Sequence, residues 1–393
     1  MMDLNDNQTK AIQKLSKLKV GALFMEPGTG KTLTAIKLIE STESDLVIFL
    51  VPFQTKNNLK KELDKWKFRM NYEIIGIETL SSSDRTFIHA FNKIKRHKNT
   101  FLVVDESLKI KNSESIRSQR ILKLSRLVEY KLILNGTPIS KNLKDLWSQM
   151  EFLSPKILNM TERQFIDTFI KYKIIDIKGR PNIKKITGNV NIDYLYSLIE
   201  PYVFECKLII EPEERKKEID YEVSTETDLE YNSTKQLWLN RMFDLTNGIQ
   251  FLAMCQQLQQ SYSIDRNKLN AIKNIVDKKT IIFVKFVKTK EVLQESYSKA
   301  LVMTYGKGAL GLNLQQYNKV IFFDKTFDYS QMDQARHRIY RIGQKENVTC
   351  YNLTGNLGLE KIMNKNINKK TTLLDVFKKA SIKEKERELI ESL

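Results

Sequence analysis

Cysteine, glycine and proline are scarce in this sequence, and it has no long apolar run. The three cysteines, Cys206, Cys255 and Cys350, cannot build a disulfide framework, and their spacing fits no metal-binding pattern. With 14 glycines and 7 prolines among 393 residues, long flexible linkers are not expected. No apolar run approaches the roughly 20 residues of a membrane span, and the start MMDLNDNQTK lacks the apolar core of a secretory signal. We therefore expect a cytoplasmic protein that makes no membrane contact.

Acidic side chains are in the minority. The sequence holds 65 Lys and Arg against 47 Asp and Glu, which gives a formal net charge of +18. Such a balance is typical of proteins that bind a polyanion such as nucleic acid. A lysine-rich composition that serves only solubility would give the same charge. The charge therefore leaves both interpretations open, and the motifs must decide between them.

Short apolar runs alternate with polar helical stretches in two parts of the chain. This alternation predicts an α/β fold with parallel sheets covered on both faces. Between the two parts the text is charged and helix-like, with a loop or small hairpin at 173–190. We expect a first α/β domain at 1–150, a helical insertion at 151–262, and a second, shorter α/β domain with a C-terminal helix at 263–393. The predicted strands are 20–25, 46–52, 72–77, 100–105 and 131–137 in the first domain, and 280–286, 300–306, 319–324 and 347–353 in the second.

The stretch MEPGTGKT (25–32) lies between a predicted strand and the helical text LTAIKLIE. This is the context of a phosphate-binding loop, although Met25 stands where the first glycine of GxxxxGK[ST] is usual. Gly28 and Gly30 would let the backbone approach phosphates, and the helix N-terminus would face their negative charge. Lys31 would neutralise the β- and γ-phosphates, and Thr32 would offer its hydroxyl to Mg²⁺. The residues predicted to bind the nucleotide here are Glu26, Pro27, Gly28, Thr29, Gly30, Lys31 and Thr32.

A pair of carboxylates, Asp105 and Glu106, follows the predicted strand at 100–105. Asp105 could hold Mg²⁺ through water, and Glu106 could orient or deprotonate the attacking water. A pair of acids on a surface loop is the alternative, but the apolar strand before the pair argues against it. Together with Lys31, these two residues are the predicted catalytic groups of the first domain.

The stretch QARHRIYRIGQ (334–344) is rich in arginine. Read as a helix, it places Arg338 and Arg341 at i and i+3 on one face, with Arg336 beside them. Arginines supplied from the second domain could stabilise the transition state of phosphoryl transfer. On spacing alone, a solvated basic helix is the favoured interpretation.

The order of these segments resembles the Swi/Snf-type ATPases of helicase superfamily two over nearly the whole chain. The stretches that carry the resemblance are MEPGTGKT, VVDESLKIKN, LILNGTPISKNLKDLWSQMEFL, GALGLNL and QARHRIYRIGQKENV. The resemblance implies two RecA-like domains with ATP and Mg²⁺ between them, and DNA lying across both. It also implies movement along duplex DNA driven by ATP hydrolysis. In superfamily two the position of Met25 commonly varies, so its presence does not argue against nucleotide binding.

The resemblance also implies roles for individual residues. Gln8 matches the glutamine that reads adenine, and Arg338 and Arg341 match the paired catalytic arginines, preceded by Gln334. Gly136, Thr137 and Pro138 match the segment that couples hydrolysis to DNA contact. Gly311, Asn313 and Leu314 match the segment that links DNA contacts to the nucleotide. DNA contact is also expected from Pro52, Asn58 and Glu62 after the second strand, and from Lys56, Lys109, Lys111, Thr137 and Asn313.

Three departures from the family pattern stand out. Leu108 replaces the His or Gln that usually follows DES or DEA and helps to connect the site to the TP segment, and Leu59 replaces a tryptophan. The second domain is shortened, because a strand and helix that usually follow 280–286 are reduced. The small size suggests a pared-down motor, such as one encoded by a phage or mobile element.

Three functions remain open at this point. The first is a translocase on duplex DNA, and the second is a helicase that separates or anneals strands at forks, origins or branched DNA during replication or recombination. The third is a nucleotide-gated binding module that hydrolyses ATP weakly. RNA is a less expected partner than DNA, and a monomer is expected.

Overall fold

The computed structural model describes residues 4–136, 143–177, 180–209, 211–240, 248–305, 314–327, 329–341, 343–368 and 392–393. By its internal contacts the chain divides into two compact units, Met1–Ile209 and Ile210–Leu393. The three-part division predicted at 150 and 262 stays a prediction. The two units are used below because they follow the contacts.

The first unit contains a six-stranded sheet in the order β3-β2-β4-β5-β1-β8, with every neighbouring pair parallel. A separate antiparallel hairpin, β6–β7, confirms the small hairpin predicted near 173–190. The strands are β1 Val20–Met25, β2 Leu46–Val51, β3 Tyr72–Gly76, β4 Thr100–Asp105, β5 Tyr130–Asn135, β6 Ile170–Ile177, β7 Arg180–Asn189 and β8 Val203–Cys206. The α-helices are α1 Asp6–Leu15, α2 Lys31–Glu40, α3 Lys56–Lys65, α4 Ile77–Ser82, α5 Asp84–Arg96, α6 Ile116–Ser125, α7 Lys144–Leu153, α8 Pro155–Leu158, α9 Glu162–Phe169 and α10 Ile192–Ile199. Short 3₁₀ helices span Phe53–Thr55, Ser107–Ile110 and Glu200–Tyr202.

Alternate residues of the central strands enter two hydrophobic cores, one on each face of the sheet. In β2, which is buried along its whole length, Ile48 belongs to one core while Val47 and Phe49 belong to the other. A strand covered on both faces needs apolar residues at every position. This is why the strand could be predicted as a continuous apolar run.

The second unit contains a five-stranded parallel sheet in the order β11-β10-β12-β13-β9. The predicted α/β class with two parallel sheets is therefore confirmed. The strands are β9 Glu214–Tyr221, β10 Thr280–Val284, β11 Leu301–Thr304, β12 Lys319–Phe322 and β13 Val348–Gly355. The helices are α11 Thr225–Asn240, α12 Gly248–Ser261, α13 Arg266–Ala271, α14 Val287–Ser296, α15 Tyr329–Arg336 and α16 Gly358–Asn368.

All nine predicted strands are present, with bounds that agree within two residues. The segment expected to be helical differs, because it also contributes β8 to the first sheet and β9 to the second. β9 is an edge strand with the sequence ERKKEIDY and four successive exposed residues. Since it lacks apolar alternation, its text did not indicate a strand. The predicted C-terminal helix lies largely in 369–391, outside the described residues.

Two buried ion pairs lie at the carboxyl edge of the sheet in the second unit. Lys268 Nζ lies 2.8 Å from Asp324 Oδ1, and both side chains are fully buried. Lys325 Nζ lies 2.8 Å from Glu360 Oε2, and these side chains are almost as deeply buried. Burial lowers the pKa of neighbouring Lys285 to about 8, although its ammonium lies over the Phe327 ring. The four charged groups of these two pairs are thus each paired within the protein.

Within the described part of the chain, we found no helix that combines the length and the apolar character needed to cross a bilayer.

Replacing one partner of a buried pair should destabilise the second unit strongly. Lys268→Met leaves the Asp324 carboxylate buried with one remaining backbone donor, that of Lys285 at 3.2 Å, and we expect a loss of about 3–5 kcal/mol. Hydrogen–deuterium exchange in a urea series would report the second unit separately. The surface pair Lys279–Glu346 of the same unit is the control, and Lys279→Met should cost less than about 1 kcal/mol.

The double variant Lys268→Met/Asp324→Asn should recover more than half of that loss. Asparagine is neutral and can still accept the bond from Lys285, so no uncompensated charge remains buried. Equal urea midpoints of the second unit in Lys268→Met and Lys279→Met would contradict this account.

Candidate active site

The predicted catalytic residues of the first unit lie in loops at the carboxyl edge of its sheet. β5 lies between β1 and β4, with Phe24 paired to Asn135 and Asp105 paired to Leu134. Because the strands are parallel, the loops after β1, β4 and β5 leave the sheet on the same side. The glycine loop and the acid pair are thus two strand spacings apart, which is about 10 Å. That separation suits groups that act on one phosphate chain.

The glycine loop adopts a left-handed backbone at two positions, Gly28 and Gly30, each with φ near +89°. Gly30 is also the N-cap residue of α2, so the first backbone N–H groups of the helix face the loop. Lys31 Nζ donates to the carbonyl of Met25 and thereby spans the mouth of the loop. Successive N–H groups and a cation around a turn form an anion-binding cradle. Thr32, the predicted Mg²⁺ ligand, is half-buried in the first turn of α2.

Gln8 is buried against the loop. Its Nε2 donates to the carbonyl of Gly30 over 3.3 Å, and its Oε1 accepts the backbone N–H of Asn5 in a capping box that begins α1. A Cβ at Gly30 would lie 2.2 Å from Gln8 Nε2. The predicted adenine-reading residue therefore also fixes the shape of the phosphate loop.

Glu26 and Pro27 tie the loop to both neighbouring strands. Glu26 donates its backbone N–H to Cys206 at the end of β8 over 3.0 Å, and its Oε2 accepts the N–H of Leu208 over 2.9 Å. On the other side, a Cβ at Gly136 would lie 3.0 Å from Pro27 Cδ. Thr29 closes the turn by donating its hydroxyl to the carbonyl of Glu26 over 2.7 Å. β8, which the sequence did not reveal, is thus part of the loop's support.

The acid pair has a distinctive backbone. Glu106 adopts φ 54° and ψ 54°, and its N–H donates to Asp105 Oδ1 over 2.9 Å. A left-handed conformation is uncommon for a residue other than glycine, and it persists where the surrounding contacts enforce it. It turns the chain sharply at the end of β4 into the 3₁₀ helix Ser107–Ile110.

The residues predicted to contact DNA in the first unit follow the same edge. Lys56 begins α3 and Lys109 is exposed after the acid pair. Glu78 links the two loops, because it accepts the backbone N–H of Phe53 over 2.8 Å and lies 3.7 Å from Lys109 Nζ. Phe53 is 59% exposed, and the sequence analysis did not single it out.

The other residues predicted to contact DNA differ from one another in their exposure and in their contacts. Asn58 is half-buried on α3, and Lys111 Nζ lies 3.9 Å from Asp145 Oδ2. Pro52 is buried, and its carbonyl accepts from Thr55 within the 3₁₀ turn. Contact between these residues and DNA stays a prediction.

The arginine-rich stretch differs from the predicted helix. α15 ends at Arg336, Arg338 lies in the turn that follows, and Arg341 lies in a bend after that turn. Arg336 is held by Glu214 and Asp333 at 2.6 and 2.8 Å, which the helix-face interpretation missed. Arg338 and Arg341 are both half-exposed in the second unit, as is Gln334 within α15. Their catalytic and nucleotide-binding roles stay predictions.

The segment around GLNL contacts the arginine-rich stretch. Leu314 donates its backbone N–H to the carbonyl of Arg338 over 3.2 Å. Buried Gln344 donates to the carbonyls of Tyr317 and Ile339 over 3.0 and 3.2 Å, so it holds the two segments together. The sequence pattern RIGQ contained Gln344 but gave no sign of this structural role. Thr137, Pro138, Gly311 and Asn313 lie outside the described residues.

The profile of the SNF2-related domain family matches residues 8–303. The chain belongs to this family. The match begins at Gln8 and includes the glycine loop and the acid pair. Membership confirms the resemblance to Swi/Snf-type ATPases of helicase superfamily two.

Several known proteins are similar to this chain. An uncharacterized ATP-dependent helicase of Mycoplasma genitalium is 24% identical over 436 residues, covering 90% of this SNF2-related chain and 41% of the relative. An ISWI chromatin-remodeling complex ATPase of Saccharomyces cerevisiae is 24% identical over 458 residues, covering 92% of this chain and 40% of the relative. The chain thus spans about two fifths of the length of these relatives. Among solved structures, the Sulfolobus solfataricus SWI2/SNF2 ATPase core in complex with dsDNA matches with 19% identity and a TM-score of 0.44, covering 99% of this chain and 95% of that one.

Adding a side chain at Gly30 should damage nucleotide binding. In Gly30→Ala the added Cβ would be strained by the left-handed backbone and would clash with the Gln8 amide. We expect at least a tenfold loss of affinity for a fluorescent ATP analogue. Gly188→Ala is the control, because nothing lies within 4 Å of its added Cβ. If both variants bound the analogue with equal affinity, the loop would not be the nucleotide site.

Proposed function

We propose that this SNF2-related chain is an ATP-driven DNA translocase. One observation carries the proposal: the glycine loop and the acid pair lie at the same sheet edge, two strands apart, in a chain of this family. Gly28, Gly30 and the start of α2 offer N–H groups to phosphates, Lys31 adds a positive charge, and Glu106 lies where a base could act on water. Together these groups provide what phosphoryl transfer to water requires.

ATP and Mg²⁺ are the proposed ligands. The names of the two relatives describe an ATP-dependent helicase and a remodeling ATPase, which supports ATP as the nucleotide. The Thr32 hydroxyl and the Asp105 carboxylate are hard oxygen donors of the kind that Mg²⁺ prefers, and one or two protein ligands suffice when phosphates supply the others. When bound, the metal would neutralise the developing charge on the phosphates.

DNA is the proposed polymer. The net charge of +18 favours a polyanion, and Lys56, Lys109 and Phe53 provide cations and an exposed aromatic ring beside the proposed ATP site. Affinity for DNA would come mainly from contacts with its phosphates, so it should fall steeply with salt and show little sequence preference.

Arg338 and Arg341 are proposed to contact the γ-phosphate of ATP during the hydrolysis cycle.

Hydrolysis measured with different polymers tests this proposal. We expect duplex DNA to raise the ATPase rate at least tenfold over the protein alone, with little unwinding of a fork and with displacement of a triplex strand. Glu106→Gln should abolish hydrolysis while ATP still binds, because the amide cannot accept the proton. Glu114→Gln, in an exposed loop nearby, is the matched control and should retain the full rate.

Other outcomes separate the alternatives. Unwinding of forked DNA would support a strand-separating helicase instead. Stronger stimulation by RNA would exclude DNA as the preferred polymer. A slow rate that no polymer raises would leave a nucleotide-gated binding module.

Arg341→Ala should lower the DNA-stimulated turnover on the order of a thousandfold, because an arginine finger stabilises charge in the transition state. ATP affinity should change much less, since the contribution arises mainly in the transition state. Arg126→Ala is the control, because Arg126 is largely exposed and forms only a 3.9 Å ion pair with Glu151. A stimulated turnover in Arg341→Ala equal to that of the control would rule out this role.

A further inference from the structure

A buried chain of hydrogen bonds connects the acid pair to β5 and α7. Ser107, the residue after Glu106, donates its hydroxyl to Gln149 Oε1 over 2.6 Å. Asn135, the last residue of β5, donates from Nδ2 to Ser107 Oγ over 3.3 Å and accepts the N–H of Gly136 over 2.8 Å. Gln149 Nε2 donates to the carbonyl of Asp145, one turn earlier in α7, over 2.8 Å. We call Ser107, Asn135 and Gln149 the relay.

The number of hydrogens on each group decides which group donates and which accepts in these bonds. A serine hydroxyl has one hydrogen, and in Ser107 it goes to Gln149. Ser107 Oγ is therefore left as an acceptor for the Asn135 amide, whose own oxygen then faces the N–H of Gly136. If Gln149 offered no acceptor, the hydroxyl would be free to rotate, and the order imposed on Asn135 would be lost.

Because the relay is buried, loss of one hydrogen bond in it would leave a polar group without a partner, at a cost in free energy. Ser107 and Gln149 are fully buried, and Asn135 is nearly so. A buried polar group without a partner costs about 1–3 kcal/mol. Gln149 lies in a helix that buries apolar residues such as Met150 and Leu153 as well as the polar Ser148. An apolar side chain would pack at this position without needing a partner, so packing alone does not explain a glutamine there.

The relay also bears on Leu108. The family resemblance leads one to expect a polar side chain at that position, linking the acid pair to the segment after β5. In this chain the polar link runs from the preceding residue, Ser107, to Asn135 and Gly136, directly before the TP residues in the sequence. The link is therefore present in a different form, and it depends on Gln149 from α7.

We propose that Gln149 is a positioning residue that couples ATP hydrolysis to DNA binding. It orients the Ser107 hydroxyl and, through Asn135, fixes the exit of β5 relative to Glu106 in its left-handed turn. Because Gln149 is fully buried, it would act through the residues that it orients. The proposal rests on the proposed function, since coupling has meaning only if DNA stimulates hydrolysis.

The test compares Gln149→Met with Ser148→Ala in the full chain. Methionine has a similar volume but offers no strong acceptor. Ser148 is equally buried on the same helix, and its hydroxyl donates over 2.5 Å to the carbonyl of Ile110, outside the relay. We expect Gln149→Met to lower the ratio of duplex-stimulated to basal ATPase rate at least fivefold through kcat, with the KM for ATP within twofold. Ser148→Ala should keep the ratio of the unmodified protein.

A double-mutant cycle with Ser107→Ala separates positioning from loss of stability. If the relay acts as one unit, Ser107→Ala should lower the ratio as well, and Ser107→Ala/Gln149→Met should be no worse than the poorer single variant. Urea midpoints of all variants show whether a fall in the ratio merely follows stability. Ser107→Ala is a small change, so it also tests the relay if Gln149→Met fails to fold.

Three results would overturn the proposal: a normal ratio in Gln149→Met, equal losses in Gln149→Met and Ser148→Ala, or additive losses in the cycle. Each applies when duplex DNA stimulates the unmodified protein. Absence of that stimulation would instead refute the proposed function, so the two failures are distinguishable.

Discussion

The parallel pairing of β1, β5 and β4 is the constraint on which the rest of the candidate site depends. Because Phe24 pairs with Asn135 and Asp105 pairs with Leu134, three strands end at the same level of the sheet. The glycine loop, the acid pair and the start of the TP segment then leave from neighbouring positions. β5 is central to this arrangement, since Gly136 packs against Pro27 on one side and Asn135 reaches Ser107 on the other.

The main features of the fold could be predicted from the sequence because buried parallel strands leave a simple pattern. β2 is apolar at every position, and the paired glycines of the loop stand between a strand and a helix. Both signals are local and arise from burial or backbone conformation. Gln8 carries no such local signal, because its contact with Gly30 joins residues 22 positions apart. Only the family resemblance pointed to it.

The features that the sequence did not reveal depend on tertiary contacts. β9 is a charged edge strand, so it carries no apolar alternation. α15 ends at Arg336, where side chains of Glu214 and Asp333 hold the arginine, and the helical spacing of Arg338 and Arg341 does not continue. Gln149 lies in a helix that also buries apolar side chains such as Met150 and Leu153, and its bond to Ser107 spans 42 positions. Apart from Asp333, which stands three positions before Arg336, the contact partners are distant in the sequence.

The buried ion pairs of the second unit have a thermal consequence. The free-energy cost of removing charges from water falls as temperature rises, whereas hydrophobic stabilisation per unit area levels off. The first unit relies on apolar cores on both faces of its sheet, but the second also contains Lys268–Asp324 and Lys325–Glu360. On heating, the balance of stability should therefore shift towards the second unit. The second unit should thus lose less of its stability on warming than it would if apolar residues replaced these two pairs.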